Sequence, residues 1–88
     1  MSGGLKGQVA VVTGSGSGIG AAITHSFLDA GASVLATGRR AEKLGRLGEH
    51  QSLITLVGDV TEPDFADRLL SRALDAFGRC DIVVNNAG

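Results

Sequence analysis

The chain has 88 residues, which suffices for one small domain, and 43% of them are hydrophobic, enough for a packed core. Its formal net charge of −1 argues against binding to nucleic acid or to a membrane surface. A single cysteine, Cys80, excludes an intrachain disulfide, and no apolar run approaches the roughly 20 residues of a membrane span or forms the core of a signal peptide, so we expect a cytoplasmic protein.

Strand and helix patterns alternate from the start of the chain. An apolar run predicts a buried strand over residues 8–13, and glycines occupy every second position from 14 to 20. The apolar period then becomes helical, which predicts a helix over residues 18–30 that Gly31 ends. The stripe that this helix should bury consists of Ile19, Ala22, Ile23, Ser26, Phe27 and Ala30.

The same alternation continues to the end of the sequence. The remaining elements are predicted as a strand over 32–37, a short helix over 41–47, a strand over 53–57, a helix from 61 to 77 and a strand over 81–85. Thr61 and Asp64 have capping-box spacing, with Pro63 in the first turn. Alternating strands and helices indicate an α/β fold with a doubly wound parallel sheet, and right-handed crossovers give the strand order 3-2-1-4.

A glycine-rich turn joins the first strand to the first helix. A helix that starts at such a turn directs unpaired N–H groups and a partial positive charge at its ligand, so the turn predicts an anion site that fits a pyrophosphate. The usual G-x-G-x-x-G spacing does not fit from Gly14, and the better description is Thr-Gly-x-x-x-Gly-Ile-Gly over residues 13–20. At Gly18 we expect the backbone to approach the phosphate and to favour a positive φ.

Two further motifs stand at strand ends. Asp59-Val60 follows the third strand, and Asn85-Asn86-Ala87-Gly88 follows the fourth. Ligands of such sheets bind outside the carboxyl ends of the strands, where all three motifs would lie. Together the motifs resemble those of the short-chain dehydrogenase/reductase family, in order and over nearly the whole chain.

This resemblance implies a Rossmann-type sheet and a role in hydride transfer. Residues 1–88 would be the N-terminal part of one NAD(P)-binding domain, in an oxidoreductase that acts on a small carbonyl or alcohol substrate and forms a homo-oligomer. In that family the aspartate at position 59 binds the adenine amino group, the next residue's backbone binds the ring, and the Asn-Asn-Ala-Gly segment steadies the sheet and lines the ribose. The implied coenzyme-binding residues are Gly14, Ser15, Ser17, Gly18, Ile19, Gly20, Arg39, Asp59, Val60, Asn86, Ala87 and Gly88.

The end of the second strand indicates which coenzyme is used. NAD-binding domains carry an acid there for the ribose 2′-hydroxyl, whereas residues 36–40 contain none. Arg39 can instead bind a 2′-phosphate through a charge-assisted pair, with Ser15 as a helper from the glycine-rich turn. We therefore predict NADP, with NAD as the alternative; on the competing interpretation Arg39 and Arg40 are solvated surface charges.

Catalytic residues of the family are missing from the sequence. They are a Ser, a Tyr and a Lys in Tyr-x-x-x-Lys spacing, and the chain contains no tyrosine. We therefore predict that these residues alone are inactive. The alternatives are a free-standing dinucleotide-binding module without catalysis and an interaction remnant that binds nothing. His25, His50 and Cys80 have no partners at metal-ligand spacing, so no metal site is predicted.

Overall fold

A computed structural model describes residues 4–86 of the chain. Strands and helices alternate along it, as the sequence pattern predicts. The elements are β1 (Val9–Val12), α1 (Gly18–Asp29), β2 (Ser33–Gly38), α2 (Ala41–Gly45), β3 (Leu53–Val57), α3 (Phe65–Phe77) and β4 (Ile82–Val84). Within residues 4–86, no helix combines the length and the apolar character that crossing a bilayer requires.

The four strands form one parallel sheet in the order β3-β2-β1-β4, which confirms the predicted topology. Val11 of β1 pairs with Leu35 of β2 on one side and with Val83 of β4 on the other. All four residues of β1 are buried, because this central strand has neighbours along both edges and helices over both faces. The carboxyl ends of the strands consequently lie side by side along one edge of the sheet.

Successive side chains of β1 and β2 point to opposite faces, and each face carries its own core. On one face, α1 and α2 pack on the sheet, and the buried residues there are Val12, Leu28, Val34, Ala36, Leu44 and Leu47. On the other face α3 contributes to a cluster of Val11, Leu35, Phe65, Leu69 and Ala73. This two-sided covering is the doubly wound Rossmann arrangement that the sequence predicts.

The stripe predicted for α1 is wrong in part. Its buried residues are Gly20, Thr24 and Leu28, while Ile19 is 70% exposed. Ala22 and Ser26 are exposed as well, and of the predicted stripe only Ile23 and Phe27 pack on the core cluster. The spacing of apolar residues could not reveal the buried face of α1, because two of the three residues on that face are a glycine and a threonine.

Helix boundaries follow the glycines closely but the predicted cap of α3 is wrong. Gly31 and Gly78 adopt positive φ values of 95° and 80° after α1 and α3, as expected of residues that end helices. α3 begins at Phe65 instead of Thr61, and its N-cap Asp64 makes no side-chain cap hydrogen bond. Thr61 instead bonds to Asp59, so the residues before α3 form a turn that belongs to the end of β3.

β1 and β4 are shorter than predicted at their polar ends, whereas β3 has the predicted bounds and β2 is shifted by one residue. β1 spans Val9–Val12 and β4 spans only Ile82–Val84. The side chain of Asp81, just before β4, accepts a hydrogen bond from the Val9 amide at 2.9 Å and pairs with Arg79. Arg79 stabilises the ionised form and, with the Val9 bond, holds the pKa of Asp81 below its ordinary value.

Candidate ligand-binding groove

A groove of about 700 Å³ runs along the carboxyl ends of the four strands. Every strand contributes the loop that follows it. These lining residues are Gly14, Gly16 and Ser17 after β1; Thr37, Gly38, Arg39, Arg40 and Lys43 at and after β2; Gly58, Asp59, Val60 and Thr61 after β3; and Asn86 after β4. The three motifs that the sequence analysis singled out are therefore brought to one place.

The turn after β1 is shaped by two of its glycines. Gly14 has a φ of 65°, a conformation that side chains disfavour. At Gly20 there is no room for a side chain, because a Cβ atom would lie 2.9 Å from the side-chain nitrogen of Asn86 and closer still to the Gly14 carbonyl. The sharp turn and the close approach of α1 to it thus both depend on the absence of side chains.

Gly18 differs from the prediction made for it. As the first residue of α1 it has no positive φ, and a Cβ atom there would meet nothing within 4 Å. The glycine with the left-handed conformation is Gly14. Gly18 lies at the solvent-exposed start of α1, so the chain itself leaves the space beside it open.

The start of α1 carries donors that the described residues do not use. The Ser17 hydroxyl caps the helix by accepting from the Gly20 amide at 3.2 Å, and it donates to the Gly14 carbonyl at 2.8 Å. Among the hydrogen bonds within residues 4–86, none is donated by the Gly18 or Ile19 amide. Two N–H groups at the positive end of the helix dipole are thus available to an anion.

Ser15 does not reach the groove, contrary to the prediction that its hydroxyl assists at a 2′-phosphate. Its side chain is fully buried and donates to the Val12 carbonyl at 2.8 Å. The equally buried Thr24 of α1 donates to the Ser15 hydroxyl at 3.3 Å. Ser15 therefore attaches the turn to the core beneath it.

Asn86 ties the end of β4 to the glycine turn. Its side-chain nitrogen donates to the Gly14 carbonyl at 3.3 Å and to the Ser17 hydroxyl at 3.2 Å. Its backbone amide donates to the Thr13 hydroxyl at 2.9 Å, and that hydroxyl donates toward the Val84 carbonyl at 3.3 Å. These bonds match the sheet-steadying role implied for the motif. Ala87 and Gly88 lie outside the described residues.

The loop after β2 gives the groove a basic wall. Arg39 and Arg40 are exposed there, and Lys43 of α2 joins them. Neither of the two ion pairs found within residues 4–86, Arg68–Glu62 and Arg79–Asp81, involves this wall. Sequence analysis missed Lys43, although its position one helical turn after Arg39 and Arg40 could have placed the three cations together.

Asp59 faces this wall from the end of β3. Its Oδ1 atom accepts from the Thr61 amide at 2.9 Å and from the Thr61 hydroxyl at 2.7 Å. These two bonds, with a smaller contribution from the positive charge of Arg39, lower the pKa of Asp59 below its ordinary value. The Oδ2 atom receives none of the hydrogen bonds formed within residues 4–86.

The neighbours of Asp59 are positioned by packing and by backbone bonds. Gly58 has no room for a side chain, because a Cβ atom there would lie 2.7 Å from Cζ of the buried Phe65. The Gly58 amide also donates to the Gly38 carbonyl at 2.9 Å, which joins the ends of β2 and β3. Val60, which follows Asp59, is 42% exposed at the groove.

Metal ligands do not come together in the part of the chain that is described. No group of three His, Cys, Asp or Glu side chains there could hold a metal ion. His25 is exposed on α1, and His50 accepts a hydrogen bond from the Ser52 amide at 3.0 Å. Cys80 is half-buried against the α3 side of the sheet.

A nicotinamide dinucleotide fits this donor set. The free amides of Gly18 and Ile19 suit a pyrophosphate, and the cradle between Gly14 and Gly20 exists only because both lack side chains. The basic wall can bind an anion, and the Oδ2 atom of Asp59 can accept a hydrogen bond from an N–H donor. The groove also lies where ligands bind in doubly wound sheets.

Comparison with known proteins agrees with this geometry. A 3beta-hydroxysteroid dehydrogenase 2 from Eggerthella lenta is 44% identical over 96% of this chain, which spans 34% of that protein. Among solved structures, a metagenomic short-chain oxidoreductase in complex with NADP is 41% identical with a TM-score of 0.84, covering 97% of this chain and 41% of its own. A 3-ketoacyl-(acyl-carrier-protein) reductase from Brucella melitensis, complexed with NADH, is 34% identical with a TM-score of 0.89. The match covers 96% of this chain and 36% of the reductase.

The chain therefore spans about a third of the length of the relatives it matches. The relatives with bound coenzyme carry either NADP or NADH, so their likeness to this chain does not favour one over the other. The family model described as short chain dehydrogenase matches residues 8–88. With the sheet order, the glycine turn and this match in agreement, the chain belongs to the short-chain dehydrogenase family.

Proposed function

We propose that this chain is the NADP-binding part of an oxidoreductase that transfers a hydride between NADP(H) and a small carbonyl or alcohol substrate. The observation that carries the proposal is the end of β2, where Arg39, Arg40 and Lys43 line the groove and no acid stands among residues 36–40. A carboxylate at that point would repel a 2′-phosphate and accept a hydrogen bond from a 2′-hydroxyl, whereas a guanidinium attracts the 2′-phosphate and donates hydrogen bonds to it.

Each loop has a distinct task in this proposal. The amides of Gly18 and Ile19 and the start of α1 hold the pyrophosphate, and Gly14 and Gly20 allow the backbone to come close. Ser17 and Asn86 keep that turn in place. Arg39 binds the 2′-phosphate.

At the adenine end, the Oδ2 atom of Asp59 accepts from the amino group, and the backbone of Val60 contacts the ring. Ala87 and Gly88 complete the ribose side.

The bound coenzyme supplies or accepts the hydride, and the chain described here binds and orients it. No tyrosine is present in the sequence, so these residues hold no counterpart of the family's acid/base. We infer that residues 1–88 form the N-terminal part of one coenzyme-binding domain and that on their own they do not turn over substrate. For the whole protein we propose a cytoplasmic homo-oligomer.

Titration of the chain with NADP⁺ and with NAD⁺ by calorimetry tests the binding proposal. We expect saturable binding of both, with NADP⁺ tighter, because the shared pyrophosphate site serves each and the basic wall serves only the phosphorylated ribose. Tighter binding of NAD⁺ would contradict the choice of coenzyme, and absence of binding to either would contradict the proposed function.

A coenzyme-absorbance assay over a panel of ketones and alcohols tests the catalytic proposal. We expect no NADPH oxidation by the 88-residue chain, since no acid/base is positioned for it. Turnover that copurifies with the chain would contradict this. Binding without turnover in a longer protein containing the chain would favour the non-catalytic dinucleotide module instead.

A further inference from the structure

Gly16 has no evident conformational reason to be a glycine. Its φ is not positive, unlike that of Gly14 two residues earlier. It is also one of the positions that the Thr-Gly-x-x-x-Gly-Ile-Gly pattern leaves variable. The structure shows instead a contact that a side chain at this position would make.

That contact is with Lys43. A Cβ atom at Gly16 would lie 3.0 Å from Cβ of Lys43, 3.7 Å from its Cδ and 3.9 Å from its Cγ. The methylene stem of the lysine therefore runs along the glycine turn, over the position where a side chain at residue 16 would start. Both residues line the groove, so this contact is part of the groove wall.

The ammonium group of Lys43 takes part in no ion pair within residues 4–86. The ion pairs within the described part of the chain are made by Arg68 and Arg79, at other places in the molecule. Among the described residues, Asp59 is the carboxylate that lines the groove, and it forms no ion pair with Lys43. A long, flexible cation whose stem is anchored and whose head is unpaired is suited to an anionic ligand.

We propose that Lys43 is a specificity-determining residue, which binds the 2′-phosphate of the coenzyme together with Arg39, and that Gly16 is its positioning residue. The inference rests on the proposed function and adds to it a second cation and a steric requirement. Gly16 acts only through the lysine: it leaves free the strip of surface on which the stem lies. A side chain there would displace the stem and with it the charge.

Adenosine 2′,5′-bisphosphate and 5′-AMP are the probes that isolate the 2′-phosphate. We expect Lys43→Gln to weaken binding of the bisphosphate by about three- to ten-fold, the range for losing one charge-assisted contact at an exposed site, and to leave 5′-AMP within two-fold or so. Lys43→Arg should restore most of the loss. Arg46→Gln removes a nearby exposed charge that does not line the groove, and we expect it to change neither affinity.

Gly16→Ala tests the positioning role without removing a charge. We expect it to weaken bisphosphate binding in the wild-type background and to have little further effect in Lys43→Gln, since the two substitutions act through one side chain. A thermal unfolding midpoint for each variant separates this from a folding defect, because a merely structural effect would lower affinity for both probes alike.

The inference is overturned if Lys43→Gln leaves the bisphosphate affinity unchanged or weakens both probes equally. It is also overturned if Gly16→Ala and Lys43→Gln act additively. These outcomes differ from failure of the proposed function, in which the wild-type chain would not favour adenosine 2′,5′-bisphosphate over 5′-AMP at all.

Discussion

The two walls of the groove are built in different ways. The wall formed by the glycine turn is held by several hydrogen bonds of 2.8–3.3 Å among Gly14, Ser17, Gly20 and Asn86. The basic wall carries exposed arginines at the end of β2, and no ion pair within residues 4–86 holds it. One wall is organised before a ligand arrives, and the other is adjustable.

This difference suggests that the glycine turn sets the affinity for any nicotinamide dinucleotide and that the basic wall sets the selectivity between them. A pre-organised wall loses little freedom when it binds, so it suits the pyrophosphate that all nicotinamide dinucleotides share. An exposed wall can exchange a charge at small cost to the fold, so it suits the group that distinguishes one dinucleotide from another. Substitutions in the first wall should therefore affect both coenzymes, and substitutions in the second should change their ratio.

The largest effect is expected from Gly20→Ala. The new Cβ atom would lie 2.7 Å from the carbonyl carbon of Gly14 and 2.9 Å from the side-chain nitrogen of Asn86, so the turn must move. We expect a loss of about 1–3 kcal/mol in the free energy of unfolding, typical of overpacking, and loss of binding to both coenzymes. Urea unfolding and calorimetry measure the two effects.

Gly45→Ala is the matched control, because a Cβ atom there meets nothing within 4 Å. It should leave stability equal or slightly higher, as alanine is the better helix former. Equal stability of Gly20→Ala and Gly45→Ala would contradict the packing described for the turn.

Gly18→Val should separate binding from folding within the same wall. The chain leaves open space at this position and its φ is not positive, so we expect unfolding to change little. Binding of NADP⁺ and NAD⁺ should nevertheless be lost together, because the side chain would occupy the space where a phosphate meets the α1 amides. Gly18→Ala should be intermediate; affinity retained within a factor of a few in the valine variant would mean that the phosphates bind elsewhere.

Arg39→Asp tests the basic wall. It removes a phosphate ligand and provides an acceptor for a 2′-hydroxyl, so the NADP⁺/NAD⁺ preference should fall by about ten-fold or more, with the unfolding midpoint unchanged. Competition between the two coenzymes measures the ratio directly. Arg46→Asp makes the same charge change outside the groove and should leave the ratio as it is; an unchanged ratio in Arg39→Asp would make Arg39 a surface charge.

The smallest effect concerns Asp59, which lines the groove after β3. Its pKa should be below the ordinary 3.8, chiefly because of the Thr61 amide and hydroxyl and less because of Arg39. A lowered folded-state pKa means that this carboxylate stabilises the fold above pH 3.8 and loses that contribution as the pH falls through the folded value. NMR titration should show a higher pKa in Thr61→Val and a slightly higher one in Arg39→Asp. An unchanged pKa in Thr61→Val would contradict the bond from the Thr61 hydroxyl, and an unchanged pKa in Arg39→Asp would contradict the contribution of the Arg39 charge.

Sequence reasoning predicted the framework because that framework depends on periodicity and glycines. Apolar runs and the glycines at 31 and 78 gave the strand order and the ends of α1 and α3, and the structure confirms both. It also predicted that three motifs would meet at one edge of the sheet, since parallel strands place their carboxyl ends together.

Side-chain direction within the turn could not be predicted in the same way. Ser15 and Ser17 are two residues apart in a glycine-rich segment, yet one is fully buried and the other is exposed at the groove. Thr24 lies on α1, and its buried hydroxyl donates to the Ser15 hydroxyl. Such partners come from tertiary contact, which neither propensity nor spacing encodes.

The position of Lys43 at the groove was missed for a similar reason. It stands on a helix of only five residues, and nothing in its local pattern links it to residue 16. The start of α3 was predicted wrongly because Thr61 can cap a helix or take part in a turn. In the structure its amide and hydroxyl donate to the carboxylate of Asp59, which forms the turn.

The contact between Gly58 and Phe65 joins the stability of α3 to the occupancy of the groove. Phe65 is fully buried at the first position of α3, and its ring leaves no space for a side chain at Gly58, the residue before Asp59. Opening of α3 would therefore release the segment that faces the adenine end of the groove. Because a ligand that binds only the closed form stabilises it, coenzyme should slow hydrogen exchange at the α3 amides, on the face of the sheet opposite α1.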